Sequence, residues 1–355
     1  MIPVLYESDE HEFGYDSLGY LKDCISCTVT EERNGVFECE FSYPVTGPLF
    51  KEILDNRIIY ATHDDKDDGQ PFDIYGRSEP IDGVVTFYAH HISYRLGKET
   101  VTPFSASSAA SALDQLPKHI VNGDGFEFSS ENYQSGEFAV TVPTGARNIL
   151  GGSEESILEI FGGEYEFDKF KVILHEQRGK DTDVAIRYGK NLKDYTHETD
   201  WTDTYNAVVP YWYQEPEQGE TTGTLVMLPE RYIAVDEPTP RIMAVPLDLS
   251  SEFDEKPSES KLRALARKEF KKTKAWQASE DYTINFIALW QTEEYKEFAP
   301  LQKCNLCDTV LIYYPVYGVD GIREKIVKTV YNTLLDRYDE ITLNRLPATF
   351  SGTIS

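Results

Sequence analysis

The sequence predicts an α+β protein that is rich in β-structure and contains more than one domain. The chain has 355 residues, whereas a single hydrophobic core stops growing near roughly 250–300 residues. Many short β-rich runs are separated by turn signals, a pattern typical of barrels and sandwiches. A few segments with helical periodicity lie between these runs. Hydrophobic residues make up 40% of the chain, enough to form several cores and to exclude global disorder.

The first domain is predicted over residues 1–96 and consists of short strands. Asn34 and Gly35 join two β-rich runs, and this dipeptide favours a type I′ hairpin turn because both central residues need positive φ. After the turn, Phe37, Cys39 and Phe41 alternate with polar positions, which predicts one apolar and one largely charged face. The strands predicted in this domain are 25–30, 36–41, 57–63, 72–75 and 83–90.

Near residue 97 the predicted secondary structure changes from strands alone to a mixture of helices and strands. A middle α/β domain is therefore predicted over 97–199. Part of it can return to the first domain. A Ser- and Ala-rich segment predicts a helix over 107–116 that ends near Pro117. A second helix is predicted over 153–161, with Ser153 as its cap and two glycines after its end. The strands predicted after it are 165–174 and 184–188.

The last domain is predicted over 200–345 with an inserted helix over 257–276, and residues 346–355 form a C-terminal exit segment. The apolar residues of this helix follow an i, i+3, i+4, i+8 pattern: Leu262, Leu265, Ala266 and Phe270. Between 261 and 274 the sequence also has seven Lys or Arg and a single acid, Glu269. This basic face is slightly better explained as a solvated surface, and the alternative is docking on an acidic neighbouring copy. The strands predicted in this domain are 205–213, 224–235, 282–289, 309–314 and 324–331.

The charge of the chain limits its partners. It has 34 Lys and Arg against 61 Asp and Glu, a net charge of −27, which disfavours duplex DNA and acidic lipid headgroups as ligands. No run approaches the roughly 20 apolar residues of a membrane-spanning helix. The N-terminus lacks the basic and apolar regions of a signal peptide. We therefore expect a protein made in a cytoplasm, without membrane insertion.

Metal-binding motifs are weak. The pairs Cys24/Cys27 and Cys304/Cys307 could together offer four thiolates to zinc. They lie far apart in the chain, and Cys24 and Cys27 flank a predicted strand, so reduced structural thiols are the better interpretation, with Cys39 as the fifth.

Two further metal candidates fail on geometry. The run from Asp64 to Gly69 resembles a calcium loop but has Lys66 where an oxygen ligand is needed, and Tyr75 where the loop needs Glu. His90 and His91 point to opposite faces of a strand and cannot chelate one ion together.

Catalytic motifs are equally weak. There is no nucleophile elbow, and residues 188–192 only faintly resemble a phosphate-binding loop. A glycosidase carboxylate pair cannot be located from sequence, because it depends on spatial separation. The cluster Tyr211, Trp212, Tyr213 could stack on sugars, but core or interface packing is favoured. The sequence therefore predicts no catalytic, cofactor-binding or metal-binding residue, and no enzyme.

A series of short motifs, in this order, resembles the N-terminal structural region of the phage minor structural protein family, also called the prophage endopeptidase tail or tail-associated lysin family. The resemblance covers about residues 13–345. Cys307 departs from the family pattern, where Gly is expected, and this further weakens the zinc interpretation. The matching stretches are EERNG at 31–35, YP at 43–44, IDGVVTFYAHHI at 81–92, NILGG at 148–152, GGEYEFD at 162–168, IRYGKNL at 186–192, VPYW at 209–212, NLCDTV at 305–310, YN at 331–332 and RY at 337–338.

The resemblance implies a fold like a phage baseplate hub, with two related β-barrels and intervening α/β elements. It implies a homotrimeric ring at the distal end of the tail, next to the distal tail protein and the tape-measure protein and within reach of the host cell wall. DNA would pass through without specific binding, and acidic groups in the channel would repel it. Since the chain ends soon after the matched region, we expect no appended hydrolase. The alternatives are a tail-associated peptidoglycan endopeptidase and a carbohydrate-binding tail adhesin.

Overall fold

The computed structural model describes residues 1–344 apart from 67, 79–81, 124, 154, 189, 191, 217–221, 236–240, 254, 287–302 and 318. The predicted exit segment 346–355 therefore lies outside the described residues, as does the end of the strand predicted over 282–289. The chain divides into two compact units, the first formed by Met1–His197 with Asp281–Ser355 and the second by Glu198–Glu280. This division does not coincide with the predicted domain boundaries at 96/97 and 199/200, because the end of the chain returns to the first unit.

The strands alternate in chain order with short turns. They are β1 Val4–Tyr6, β2 Gly19–Tyr20, β3 Ser26–Glu32, β4 Phe37–Pro44, β5 Ile58–Ala61, β6 Gln70–Arg77, β7 Val84–His91, β8 Thr100–Val101, β9 Phe104–Ser108, β10 Glu127–Ser130, β11 Ser135–Val140, β12 Thr144–Gly145, β13 Glu164–Asp168, β14 Lys171–His175, β15 Asp181–Arg187, β16 Leu192–Asp200, β17 Ala207–Gln214, β18 Thr224–Met227, β19 Ile233–Ala234, β20 Ala244–Asp248, β21 Ser279–Phe286, β22 Thr309–Tyr314, β23 Val319–Asn332 and β24 Arg337–Asn344.

The described helices are fewer than the strands. They are α1 Ala109–His119, α2 Ala146–Leu150, α3 Ile157–Phe161 and α4 Glu259–Thr273, with short 3₁₀ segments at Phe50–Glu52, Ile92–Lys98, Ser250–Glu252 and Pro315–Tyr317. The predicted β-rich α+β class is confirmed by this content.

One large sheet organises the first unit. It contains a run of seven strands, β3-β4-β7-β6-β5-β1-β2, and a run of six, β16-β21-β24-β23-β22-β15, and the pairing of β23 with β3 joins them. Among the described residues no strand pairing closes either run on itself. A barrel requires its end strands to pair, so the two predicted β-barrels are not confirmed by the described residues and stay a prediction.

Each run has its own hydrophobic core. The first core includes Phe41, Phe72 and Phe87, all essentially unexposed, and it continues beneath α1, α2 and α3. The second is built mainly from β15, β22, β23 and β24, with Ile312 and Leu343 among its buried residues. Apolar side chains at alternate strand positions fill both cores, as the period-2 pattern predicts.

The predicted hairpin forms between β3 and β4, but its turn differs from the prediction. Asn34 has φ of 54° while Gly35 does not have positive φ, so the turn is not type I′. The buried Asn34 amide instead donates to the Gly163 carbonyl at 3.0 Å and accepts from the Tyr165 N–H at 2.8 Å. This contact to β13 selects the conformation of the turn.

Two predicted helix boundaries were wrong. Helix α1 continues through Pro117 to His119, because Leu113 and Leu116 are fully buried and hold the last turn despite the missing proline N–H. Helix α3 begins after Ser156, whose hydroxyl accepts from the Glu159 N–H, and not after Ser153.

The second unit is a small sheet packed on one helix. Strand β17 pairs with β18, β19 and β20. Helix α4 begins after Ser258, which accepts from the Lys261 N–H, and it buries Leu262, Ala266 and Phe270. These are three of the four residues of the predicted apolar stripe, so the inserted helix is confirmed with shorter bounds.

Candidate functional site

Five charged side chains form a buried ionic cluster where β3, β13 and β23 meet. The cluster consists of Glu31, Arg33, Glu164, Arg178 and Lys325. Each side chain is at most 17% exposed. These residues come from segments far apart in the sequence, so the cluster exists only because the fold brings the segments together.

Glu164 lies at the centre of this cluster. Its carboxylate accepts from Arg33 Nη1 at 3.0 Å, from Lys325 Nζ at 2.8 and 3.0 Å, and from the Arg178 N–H at 2.7 Å. Both oxygens are therefore saturated by donors. A carboxylate in such surroundings is a structural anchor, because no lone pair faces an open cavity where a substrate could sit.

Arg178 links the cluster to β3 and to the β13 backbone. Its Nη1 donates to Glu31 at 2.8 Å and to the Tyr165 carbonyl at 3.2 Å. Burial is the largest single influence on this guanidinium and opposes its charge, but the neighbouring acidic groups, Glu31 first and Glu166 among the others, together outweigh burial and raise the pKa of Arg178. The cluster thus holds three elements of the first unit in one arrangement, as paired buried charges do when all are hydrogen-bonded.

The four cysteines considered as a zinc site belong to two different cores. Cys27 belongs to the first core and contacts Cys39, with 3.8 Å between the sulfurs, while Cys304 and Cys307 are buried in the second core. Burial raises the pKa of both Cys304 and Cys307 to about 12, so these thiols stay protonated and are poor zinc ligands. In the described part of the chain, no group of three or more His, Cys, Asp or Glu side chains could hold a metal ion.

Cys307 occupies a position that favours glycine. Its φ is 70°, in the left-handed region that L-residues adopt at a cost. This gives a physical reason for the glycine expected there from the family resemblance.

The described carboxylates of the loop at 64–68 form ion pairs, so they are not free to bind a calcium ion. Asp64 lies 3.2 Å from Lys66 Nζ, and Asp68 accepts from Lys169 Nζ at 2.7 Å. Asp65 pairs with Lys303 at 3.1 Å, and Asp67 lies outside the described residues. The described carboxylates are already bound to cations, which agrees with the rejection of a calcium loop.

His90 and His91 point to opposite faces of β7, as predicted. His91 is fully buried, stacks on Phe37 with 4.4 Å between ring centroids, and has a pKa well below its usual value because of burial. His90 stacks on Tyr75 and Tyr94. Both imidazoles are packing residues.

His175 is the histidine with the strongest charge partners. Its two ring nitrogens lie 2.7 Å from Glu131 and 2.8 Å from Glu166. The hydrogen bond with Glu166 raises the pKa of His175 from 6.5, and the same bond lowers the pKa of Glu166 to about 2. Both shifts mean that the charged pair forms in the folded state.

The pair makes stability depend on pH. The contribution of His175 is fully present below its unfolded pKa of 6.5 and is lost as the pH rises through the raised folded pKa. The contribution of Glu166 is present above 4.5 and is lost as the pH falls toward about 2. We expect His175→Gln to flatten the decline of Tm as the pH rises above 6.5. A His11→Gln control should keep the wild-type decline, and an equally steep decline in His175→Gln would contradict the assignment.

The aromatic cluster at 211–213 divides between the two faces of β17. Trp212 is buried against α4, whereas Tyr211 and Tyr213 point away from it. Tyr211 lies opposite Met227 of β18 and Tyr213 lies opposite Leu225. Tyr213, Leu225 and Met227 are 42–54% exposed. We call these four residues the exposed apolar face.

Such a face is typical of an interaction surface, because soluble proteins rarely leave neighbouring large apolar side chains uncovered. The sequence reasoning missed Leu225 and Met227. Their alternation with the buried Val226 and Leu228 is a period-2 signal that could have identified them.

The basic face of α4 is solvated for much of its length. Arg263 pairs with Glu230, and Lys261, Lys271 and Lys272 are exposed. None of the described helices combines the length and the apolar composition that crossing a membrane requires.

Comparison with known proteins finds its matches among solved structures. The first is the prophage tail protein gp18 from Listeria monocytogenes EGD-e, with a TM-score of 0.60, 16% identity, and 98% of this chain and 95% of that chain covered. The prophage MuSo2 43 kDa tail protein from Shewanella oneidensis has a TM-score of 0.59 and 11% identity, with 98% and 99% covered. The tail protein from Neisseria meningitidis MC58 has a TM-score of 0.54 and 8% identity, with 99% of each chain covered.

No family model matches the sequence, and no curated protein matches it. The three solved structures are named as tail proteins and not as enzymes. Identities this low support a statement about fold and nothing finer. The chain has the fold that these three prophage and tail proteins share, over nearly its whole length.

Proposed function

We propose that the chain is a structural protein of a bacteriophage or prophage tail, located at the tail tip. The observation that carries this proposal is the similarity of fold to prophage tail proteins across 98% of the chain. The motif order described above supports a finer assignment, to the phage minor structural protein family. In this assignment three copies form a hub ring at the distal end of the tail tube.

The features of the described residues suit an assembly role. The ionic cluster fixes three elements of the first unit, and the exposed apolar face offers a surface for a neighbour. The distal tail protein and the tape-measure protein are the proposed neighbours. The net charge of −27 suits a ring through which DNA passes without binding, since like charges repel.

We propose further that the chain is not itself a hydrolase. The titratable groups described above are engaged by packing or by ion pairs. Clearing of a peptidoglycan zymogram by purified protein, abolished by a single substitution, would favour the endopeptidase alternative. Binding to cell-wall glycans, abolished by Tyr213→Ser, would favour the adhesin alternative.

The proposal is tested by deleting the coding sequence from the prophage or phage that carries it. We expect particles with missing or incomplete tails in electron micrographs, and restoration by the wild-type chain. Antibodies against the chain should label the distal tip of purified tails. Normal infectious tails without the chain, or labelling elsewhere on the particle, would overturn the proposal.

The exposed apolar face gives a second test. We expect Tyr213→Ser with Leu225→Ser to change the free energy of unfolding by no more than about 0.5 kcal/mol each, because these side chains are exposed. The same variant should fail to restore tails to the deletion strain. A matched control, Val121→Ser with Tyr133→Ser, also removes two exposed apolar side chains and should restore them. Full restoration by the first variant would exclude this face as an interface.

A further inference from the structure

A groove with a volume of about 450 Å³ lies beside α4 in the second unit. Ile233 of β19, Phe270 of α4 and Trp276 form its apolar lining, and Arg267, Lys271 and Lys274 provide cations along it. Ile233 and Phe270 are buried, whereas the three cations are exposed. The groove therefore combines an apolar floor with a positive rim.

Among the described residues the three rim cations form no salt bridge, and Arg267 acts only at longer range on Glu230, whose pKa it helps to lower. Within the described residues, no carboxylate oxygen lies within 4 Å of Arg267, Lys271 or Lys274, whereas the nearby Arg263 is bound to Glu230. A surface of this kind matches an acidic segment that carries one aromatic or aliphatic side chain, since the ring fills the floor and the carboxylates meet the rim.

The first unit presents such a segment. Residues 7–16 include five acids and no Lys or Arg, and Tyr15 is fully exposed. Glu7 is bound by Arg57 at 3.0 Å, but Asp9, Glu12 and Asp16 have no salt bridge to any described residue. Glu10 also has no salt bridge, but its carboxylate accepts from two backbone N–H groups within the segment. We call residues 7–16 the acidic loop.

The acidic loop is held in one conformation. Glu10 accepts from the N–H groups of Glu12 and Phe13 at 2.6 and 2.9 Å. Phe13 stacks on Tyr60 with 5.1 Å between ring centroids, and the Tyr6 hydroxyl donates to the Phe13 carbonyl at 3.0 Å. An exposed tyrosine on an ordered loop loses little conformational entropy on binding, which is typical of an interface anchor.

We propose that the acidic loop of one copy binds in the groove of a second copy, with Tyr15 on the apolar floor. The inference rests on the proposed function, for which it names one contact between copies of the ring. Loop and groove are different surfaces, so the contact is head-to-tail, and such contacts close into a ring when the rotation between copies allows it. The abundance of acids on the chain makes a second copy a suitable partner for its own cationic groove.

The test uses the full-length chain and three sets of substitutions. The groove variant is Arg267→Gln, Lys271→Gln, Lys274→Gln. The loop variant is Tyr15→Ser, Glu12→Gln, Asp16→Asn. The charge-matched control is Lys261→Gln, Lys268→Gln, Lys272→Gln, which removes three cations from α4 outside the groove lining.

Self-association is measured by sedimentation at concentrations up to roughly 1 mM. We expect the wild type and the control to associate, and the groove and loop variants to associate at least about tenfold more weakly. An equal mixture of the groove and loop variants should form dimers and nothing larger, because only one productive contact remains between them. Circular dichroism verifies that each variant is folded.

Each other outcome decides against the contact. A wild-type chain that stays monomeric overturns it, as does equal weakening in the groove variant and the control. Groove and loop variants that assemble like the wild type overturn the contact while leaving a hub ring possible. If the mixture of groove and loop variants forms dimers but the chain is missing from purified tails, the proposed function fails while the contact stands.

Discussion

Glu164→Gln is expected to lower the free energy of unfolding by about 3–5 kcal/mol, because it leaves buried cations without their anion. The glutamine keeps the size of the side chain but has no charge to offer Arg33 and Lys325, which lie 3.0 and 2.8 Å from the carboxylate. Its NH₂ group also replaces one acceptor with a donor that faces cations. The loss exceeds that of an ordinary hydrogen bond because these groups are largely shielded from water, with at most 17% of any side chain exposed.

The measurement is urea unfolding, together with hydrogen exchange to localise the effect. Exchange should increase in β3, β13 and β23 while α4 stays protected, since the cluster lies entirely in the first unit. The matched control is Asp183→Asn, which removes an acid that is 96% exposed and 3.6 Å from Arg323. It should change stability by less than about 1 kcal/mol. Equal effects of the two substitutions would show that the cluster contributes no more than a surface ion pair.

Local patterns in the sequence predicted those elements whose determinants are local. The period-2 runs predicted most strands of the large sheet, and the stripe of Leu262, Ala266 and Phe270 predicted the side of α4 that is buried. Both signals come from residues within one element, where side-chain direction follows directly from backbone geometry.

The turn conformation, the ionic cluster and the strand order depend on tertiary contacts, which no local sequence pattern specifies. The Asn-Gly signal located the β3–β4 hairpin, but the conformation of Asn34 depends on contacts to Gly163 and Tyr165, about 130 residues away by sequence numbering. The ionic cluster joins positions from 31 to 325, so its members read as ordinary surface charges in the sequence. Strand pairing likewise decides whether a run of strands closes into a barrel, and alternation alone cannot specify it.

Gly163→Ala, next to the ionic cluster, is expected to lower the free energy of unfolding strongly. Gly163 has φ of 108°, and an added Cβ would lie 2.5 Å from the His175 carbonyl oxygen and 3.0 Å from Asn132 Nδ2. The backbone conformation alone costs an alanine about 1–3 kcal/mol. Overpacking against a neighbouring strand adds about 1–3 kcal/mol, because β14 must shift to make room.

The adjacent glycine separates these two contributions. Gly162 has φ of 65°, but an added Cβ would meet no atom within 4 Å. Gly162→Ala should therefore show only the conformational cost, and thermal or urea unfolding of the two variants measures the difference. If both variants lose the same stability, the packing of β14 on Gly163 is unimportant.

The position of Gly163 predicts that its substitution and that of Glu164 do not affect stability independently. It precedes Glu164 directly, and its carbonyl accepts from Asn34, so a displaced Gly163 moves the anion of the cluster away from its cations. We therefore expect the double variant to lose less unfolding free energy than the sum of the losses in Gly163→Ala and Glu164→Gln. The second change disrupts contacts that the first has already weakened. Strict additivity would mean that the turn and the ionic cluster stabilise the first unit independently.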